Sequence, residues 1–203
     1  MLQVAKGDRP MNPLRETIQQ YREEGHDALL HEYRFKHNGR YEWGKSFDSN
    51  YWKRRDLLFE LYNEVSPKDK ALLRWLIDQE IEGALEAMLP PYLMDVAAFL
   101  LYKVMDKEDI DALYAAKFAG GTDHHVYLDV ELLFGHDREQ MKAFLTANQE
   151  QQPLYAEILK TIGSYEANPN ANFKSRADYV NYFETRKINI IKNDLESTAK
   201  YYK

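Results

Sequence analysis

Cysteine is absent from all 203 residues, which excludes a disulfide framework, a thiolate metal site and a thiol nucleophile, and favours an intracellular, cytoplasmic location. Long hydrophobic runs are absent too. The longest, Leu89 to Tyr102, is 14 residues, carries Asp95 and two prolines, and is too short to span a bilayer, so no membrane partner is expected. The N-terminal MLQVAKGDRPM lacks the apolar centre of a signal peptide. Catalytic signatures are equally scarce. There is no Gly-rich phosphate loop, because Gly120-Gly121 follows a helix and fits a helix stop. A serine elbow, a zincin motif and the E-x-x-H spacing of di-iron bundles are also missing, so no cofactor is implied. With 44% hydrophobic and 30% charged residues, the composition is that of an ordinary globular chain rather than a disordered one.

What is present is a strongly punctuated helical pattern. The apolar stretch Leu100 to Val104 ends a helix, and Asp106 caps the next, which runs through Ile110, Leu113, Tyr114 and Phe118 to Gly120-Gly121. A second helix is expected from His124 to Phe134, halting at Gly135, although its VYLDV alternation also fits a strand; a third opens on Asp137. Upstream, Asn12 and Pro13 start a helix that ends at Gly25, and a short one is expected from His26 to Lys36. Residues 37–50 break both periodicities and read as a loop. From Tyr51 the stripe Trp52, Leu57, Leu58, Leu61 is helical, and Ser66-Pro67-Lys68-Asp69 is a capping box for a helix reaching Met88. After Pro90-Pro91, Tyr92 to Met105 is apolar almost all round, with Asp95 and Lys103 its only charges, which predicts a buried helix. Downstream, a helix over Pro153 to Ile162 and a polar loop precede an amphipathic closing helix, residues 175–201.

A weak internal repeat accompanies these elements. Caps at Ser66, Asp106 and Asp137 are each followed three residues later by Asp69, Asp109 or Gln140, and seven later by Leu73, Leu113 or Phe144; Ser175 with Asp178 and Tyr182 matches the same offsets. The expectation is a single all-α domain over 1–203, built from stacked helical hairpins as an α-solenoid or as an irregular bundle of about eight or nine helices. The run IDALYAAKFAGGTDHHVYLDVELLFG, within residues 95–135, resembles a segment of uncharacterised bacterial helical-repeat (HEAT-like) proteins. That resemblance implies the helical-repeat architecture and assigns no activity, so no functional residue is carried over from it.

Charge is distributed unevenly. The chain carries a formal −6 in total, yet residues 34–55 sum to +5 and residues 56–160 to −11. Within the basic segment, Arg40, Tyr41, Trp43, Lys45, Phe47, Lys53, Arg54 and Arg55 interleave aromatic and cationic side chains, the composition of an interaction hot spot or of a base-stacking surface. In the plainer reading Trp43 and Phe47 fold back over the first hairpin and Trp52 belongs to the core. A pI of about 5.6 argues against nucleic acid as the primary partner, so another protein is expected. The acidic middle offers an alternative face, suited to an immunity- or inhibitor-type role or to mimicry of DNA charge.

The densest set of possible ligands is His125, Asp129, His136 and Asp137. His125 and Asp129 are four apart and share a helical face if the helix continues, while His136-Asp137 resembles the dyad of HD-type metal phosphohydrolases, which are also all-helical. That supplies the enzymatic alternative, a metal-dependent phosphohydrolase. The plainer reading makes Asp137 an N-cap and pairs Asp129 with His125. The first expectation remains a non-enzymatic, protein-binding helical module.

Overall fold

The computed structural model describes residues 12–25, 27–41 and 46–202, and the chain is all-α. Among these residues the only β-type pairing is an isolated antiparallel bridge between His37 and Asp48. Several helices start where the sequence offers a cap. Asn12 accepts from the Leu14 amide at 3.1 Å and Pro13 opens α1 (Pro13–Glu24), which Gly25 closes in the left-handed conformation. A 3₁₀ turn, Asp27–Tyr33, follows, and then α2 (Tyr51–Asn63). Ser66 and Asp69 form the capping box, the Ser66 amide reaching Asp69 Oδ2 at 2.7 Å, and a 3₁₀ turn leads into α3 (Lys70–Ala87). The same device recurs after α4 (Tyr92–Val104), where Asp106 and Asp109 box the entry to α5 (Ile110–Phe118).

Residues Leu93 to Tyr102 of α4 are all buried, Asp95 among them. The helix is wrapped by α2, α3, α5 and, from the far end of the sequence, α10 (Ile188–Ala199). Each large apolar side chain so enclosed contributes about 1.5–3 kcal/mol. This wrapping makes α4 the centre of a bundle. α9 (Arg176–Tyr182) continues into α10 through a π turn, Phe183–Lys187, which aims both ends of the turn inward: Phe183 stacks on Phe99 with ring centroids 3.7 Å apart, and Lys187 reaches α4.

The helix expected from His124 to Phe134 is a misreading. α6 (Thr122–Tyr127) stops early, Leu128 and Asp129 are extended, and a 3₁₀ turn spans Val130–Phe134. The cause is charge. Lys117 is buried and donates to the His125 carbonyl at 2.7 Å and to that of Leu128, consuming acceptors at the helix end. Asp129 in turn leaves the helical path to meet Lys187 Nζ at 2.6 Å. α7 (Arg138–Asn148), capped by Asp137, and α8 (Pro153–Glu166) complete the bundle. Among the described residues no helix is long and apolar enough to cross a membrane.

Two charge clusters sit inside. Arg54, wholly buried, donates from Nε to Glu80 Oε1 at 2.6 Å and forms an ion pair with Asp48, Nη1 lying 2.5 Å from Oδ2. Burial pulls its pKa down, but Glu80 and Asp48 more than offset that, while burial raises the Glu80 carboxyl despite Arg54. In the second, Lys187 lies 2.8 Å from Asp95 and 2.6 Å from Asp129. Burial lifts Asp95 to about 6 against the pull of Lys187, and lowers Lys117 to about 8.

Candidate functional site

The basic, aromatic segment is held by Asp48. Its Oδ1 accepts the amides of Lys36 (2.8 Å) and Asn50 (2.9 Å), and its Oδ2 takes Arg54. Main-chain bonds from Asn38 to the Phe47 carbonyl (2.7 Å) and from Ser49 to the Lys36 carbonyl (2.8 Å) close the two arms on each other. Asn50 Nδ2 holds the Arg34 carbonyl and Gln79 Oε1 holds the Phe35 amide, so the first arm is pinned to the start of α2 and to α3. His37 Nδ1 accepts from the Gly39 amide at 3.0 Å, which assigns the ring proton to Nε2 and makes it the donor to Ser46 Oγ at 2.7 Å.

Of the eight residues expected at this site, Trp43 and Lys45 lie outside the described residues. Arg54 is not a surface group at all: it occupies the α2 stripe Tyr51, Arg54, Leu57, Leu58, Leu61 that faces the core. Phe47 is also buried, edge-on to Tyr51 at 4.8 Å and stacked on Tyr202 at 3.9 Å. Lys53 is exposed beside Glu32 at 3.1 Å, and Arg55 stands over the Trp52 ring at 5.1 Å while pairing with Asp56 at 2.6 Å. Arg40 is exposed, and Tyr41, 88% exposed, stacks on His37 at 4.7 Å.

What the fold assembles is a shallow cleft of about 270 Å³ lined by Asn38, Arg40, Phe47, Trp52, Tyr201 and Tyr202. The sequence reading missed Tyr201 and Tyr202, which follow the last helix and come back to the loop; Tyr201 is 80% exposed. Trp52 presents a further oddity, since its indole N–H is buried without an acceptor.

The four possible metal ligands do not converge. His125 Nε2 faces the Tyr165 hydroxyl at 3.0 Å, Asp129 belongs to Lys187 and not to His125, His136 Nε2 donates to the Met105 carbonyl at 2.9 Å, and Asp137 caps the Gln140 amide at 2.9 Å. The i,i+4 pairing fails because α6 ends before Asp129 is reached. Among the described residues no group of three or more histidines and carboxylates is placed to hold a metal.

His136 and Asp137 instead line a second cleft, of about 520 Å³, together with Arg138, Lys174 and Arg176. Comparison of the chain with protein-family models, with curated proteins and with solved structures finds no match in any of the three.

Proposed function

We propose that the chain is a non-enzymatic protein-binding module that docks its partner on the aromatic, basic face formed by Arg40, Tyr41, Phe47, Trp52 and Tyr201-Tyr202. One observation carries this reading. Two tyrosines, Tyr41 and Tyr201, stand 88% and 80% exposed beside a cleft whose walls are Phe47, Trp52 and Arg40. Exposed aromatics on a pinned backbone lose little entropy on contact, and Tyr, Trp and Arg dominate interface hot spots. Arg34, Lys36 and Arg40 are exposed on the same segment, so the complementary partner surface is an acidic one with an apolar anchor.

The acidic-middle alternatives, inhibition or DNA mimicry through surface carboxylates, have less support, because Asp69, Glu80, Asp95, Asp109 and Glu131 are turned inward. The phosphohydrolase alternative has lost the shared position of its four candidate residues.

Affinity capture from the source cells tests the proposal, comparing the intact chain with an Arg40→Glu/Tyr41→Ala variant whose far-UV circular dichroism is unchanged. A protein retained by the first and lost by the second is the expected outcome. Its purified form should bind the variant about 30-fold or more weakly, as removal of a hot-spot side chain does, and should bind the intact chain less well as salt is raised. Equal recovery of every protein by both would remove this face from consideration.

A further inference from the structure

The second cleft carries an inference independent of the docking face. It lies where three parts of the chain meet: the end of α4 at Tyr102, the turn Phe134–Asp137 entering α7, and the segment Phe173–Ala177 entering α9. Its 520 Å³ is ample for a small metabolite.

The wall is unusual for a chain of net charge −6. Arg138, Lys174 and Arg176 line it against a single lining carboxylate, Asp137, which is occupied as the α7 cap. Arg138 is held between two rings, 5.5 Å from Phe134 and 5.4 Å from Phe173, and Lys174 stands 4.7 Å over Tyr182. Both have a carboxylate behind them, Glu166 at 3.2 Å and Glu131 at 3.2 Å, and both remain more than a third exposed. The Arg138–Glu166 pair is half-exposed and worth about 1 kcal/mol or less, so Arg138 can share its charge with a ligand; Lys174 meets one oxygen of a buried carboxylate, and its ammonium keeps further N–H donors for a ligand. Arg176 differs. Its Nη2 donates to the Tyr102 and Lys103 carbonyls at 3.1 Å each and its guanidinium lies 4.6 Å over Tyr102, while Nη1 has no partner and no carboxylate is paired with it.

α7 also begins here, at Arg138, and the positive end of its dipole adds to the cationic side chains; its Gln140 amide is taken by Asp137, as the Asp178 amide is by Ser175. Gly135, at φ 58 and ψ −142, makes the turn that returns His136 to the Met105 carbonyl and sets the α7 start against the cleft. Phe134 and Phe173, edge to face at 5.0 Å, supply an apolar wall next to the charges.

We propose that this cleft binds a small organic phosphate monoester, its phosphate held by Arg138, Lys174 and Arg176 and its apolar or aromatic body laid against Phe134 and Phe173. Three cations lining one cleft suit a phosphate dianion better than a singly charged carboxylate.

Phenyl phosphate is the probe. Titrated into the ¹⁵N-labelled full chain, it should shift the amides of 135–139 and 174–177 and raise the melting temperature. Inorganic phosphate should bind there about tenfold or more weakly, and phenol should leave those amides unmoved. Arg138→Gln, at a partly exposed position, should weaken phenyl phosphate about tenfold or more without altering the remaining spectrum; Lys174→Gln also takes the cation from buried Glu131, so it is paired with a Lys174→Gln/Glu131→Gln control, which should lose phenyl phosphate to the same degree. Arg176→Gln is the less suitable variant, because it also frees the α4 carbonyls. The proposal is overturned if millimolar phenyl phosphate leaves both amide groups in place, if the Arg138→Gln/Lys174→Gln double variant binds as the parent does, or if inorganic phosphate binds as tightly as its phenyl ester.

Discussion

Replacing Lys187 with methionine tests how far the interior depends on paired charge. Lys187 is 6% exposed and is held by Asp95 at 2.8 Å, Asp129 at 2.6 Å and the Tyr127 carbonyl at 2.9 Å. Methionine keeps most of the stem and removes the cation, leaving Asp95 with no exposed surface and no ion-pair partner. Breaking a buried pair in this way costs about 3–5 kcal/mol, whereas replacing both partners by apolar groups is often close to neutral.

The pH dependence fixes the assignment. Asp95 has a folded pKa of about 6 against an ordinary value of 3.8, so between those values the native state holds more protons than the unfolded one. Its contribution is therefore fully present below the unfolded value and is lost as pH rises through about 6; the shift corresponds to roughly 3 kcal/mol. Without Lys187 the carboxyl is held protonated to still higher pH. The stability difference between parent and Lys187→Met should then be small near pH 5 and widen to the full 3–5 kcal/mol near pH 8. Urea unfolding followed by far-UV circular dichroism at a series of pH values measures it. Adding Asp95→Asn to Lys187→Met should flatten the slope and recover about 2 kcal/mol near pH 8. A difference that does not change with pH, or strictly additive single variants, would refute the reasoning.

Other positions give sharper or opposite signs. Met88 closes α3 in the left-handed conformation, φ 52, with its side chain 55% exposed, so Met88→Gly should raise stability by about 0.5–1 kcal/mol in the same urea assay. Arg54→Met leaves Asp48 and Glu80 buried without their cation and should cost about 3–5 kcal/mol; amide exchange at Ser49, bonded to the Lys36 carbonyl, should accelerate with it. Gly135→Ala forces a Cβ into a φ 58, ψ −142 backbone and to 2.4 Å from Met141 Cε, so a loss of about 2 kcal/mol or more is expected, read as a lower midpoint in thermal unfolding.

Much of the architecture was legible because local chemistry determined it. Asn12, Ser66, Asp106, Asp137 and Ser175 each cap the helix their position announces, since a cap needs only residues within three or four places of itself. The burial of α4 followed from its nearly continuous apolar surface, interrupted only by Asp95 and Lys103. The break at Leu128-Asp129 and the π turn were not legible, because each answers a partner far away: Asp129 and Lys187 are 58 residues apart. Arg54 was misplaced for a different reason. In the run Lys53-Arg54-Arg55 it looks like part of a basic surface, yet its spacing to Tyr51, Leu57 and Leu61 puts it on the buried stripe, so the periodicity held the correction that composition concealed. Tyr201 and Tyr202 carried no signal at all, since their role depends on where the closing helix delivers them.

The same clusters change the meaning of the charge asymmetry. Residues 56–160 sum to −11, which taken alone suggests an acidic surface awaiting a basic partner. Inside the bundle, Asp69 is gripped by Arg22, Glu80 by Arg54, Asp95 by Lys187, and Glu131 by Lys174. All four cations come from outside the acidic stretch, two before it and two after. Part of the carboxylate excess in the middle is therefore met by cations from the flanks, as α1, α2 and the stretch from Lys174 into the α9–α10 rod pack against α3, α4 and the turns beside them. A mispacked order of those helices would strand buried carboxylates at about 3–5 kcal/mol each, a penalty comparable to the whole stability of a domain this size. The charge pattern thus selects one arrangement of helices before it says anything about a partner.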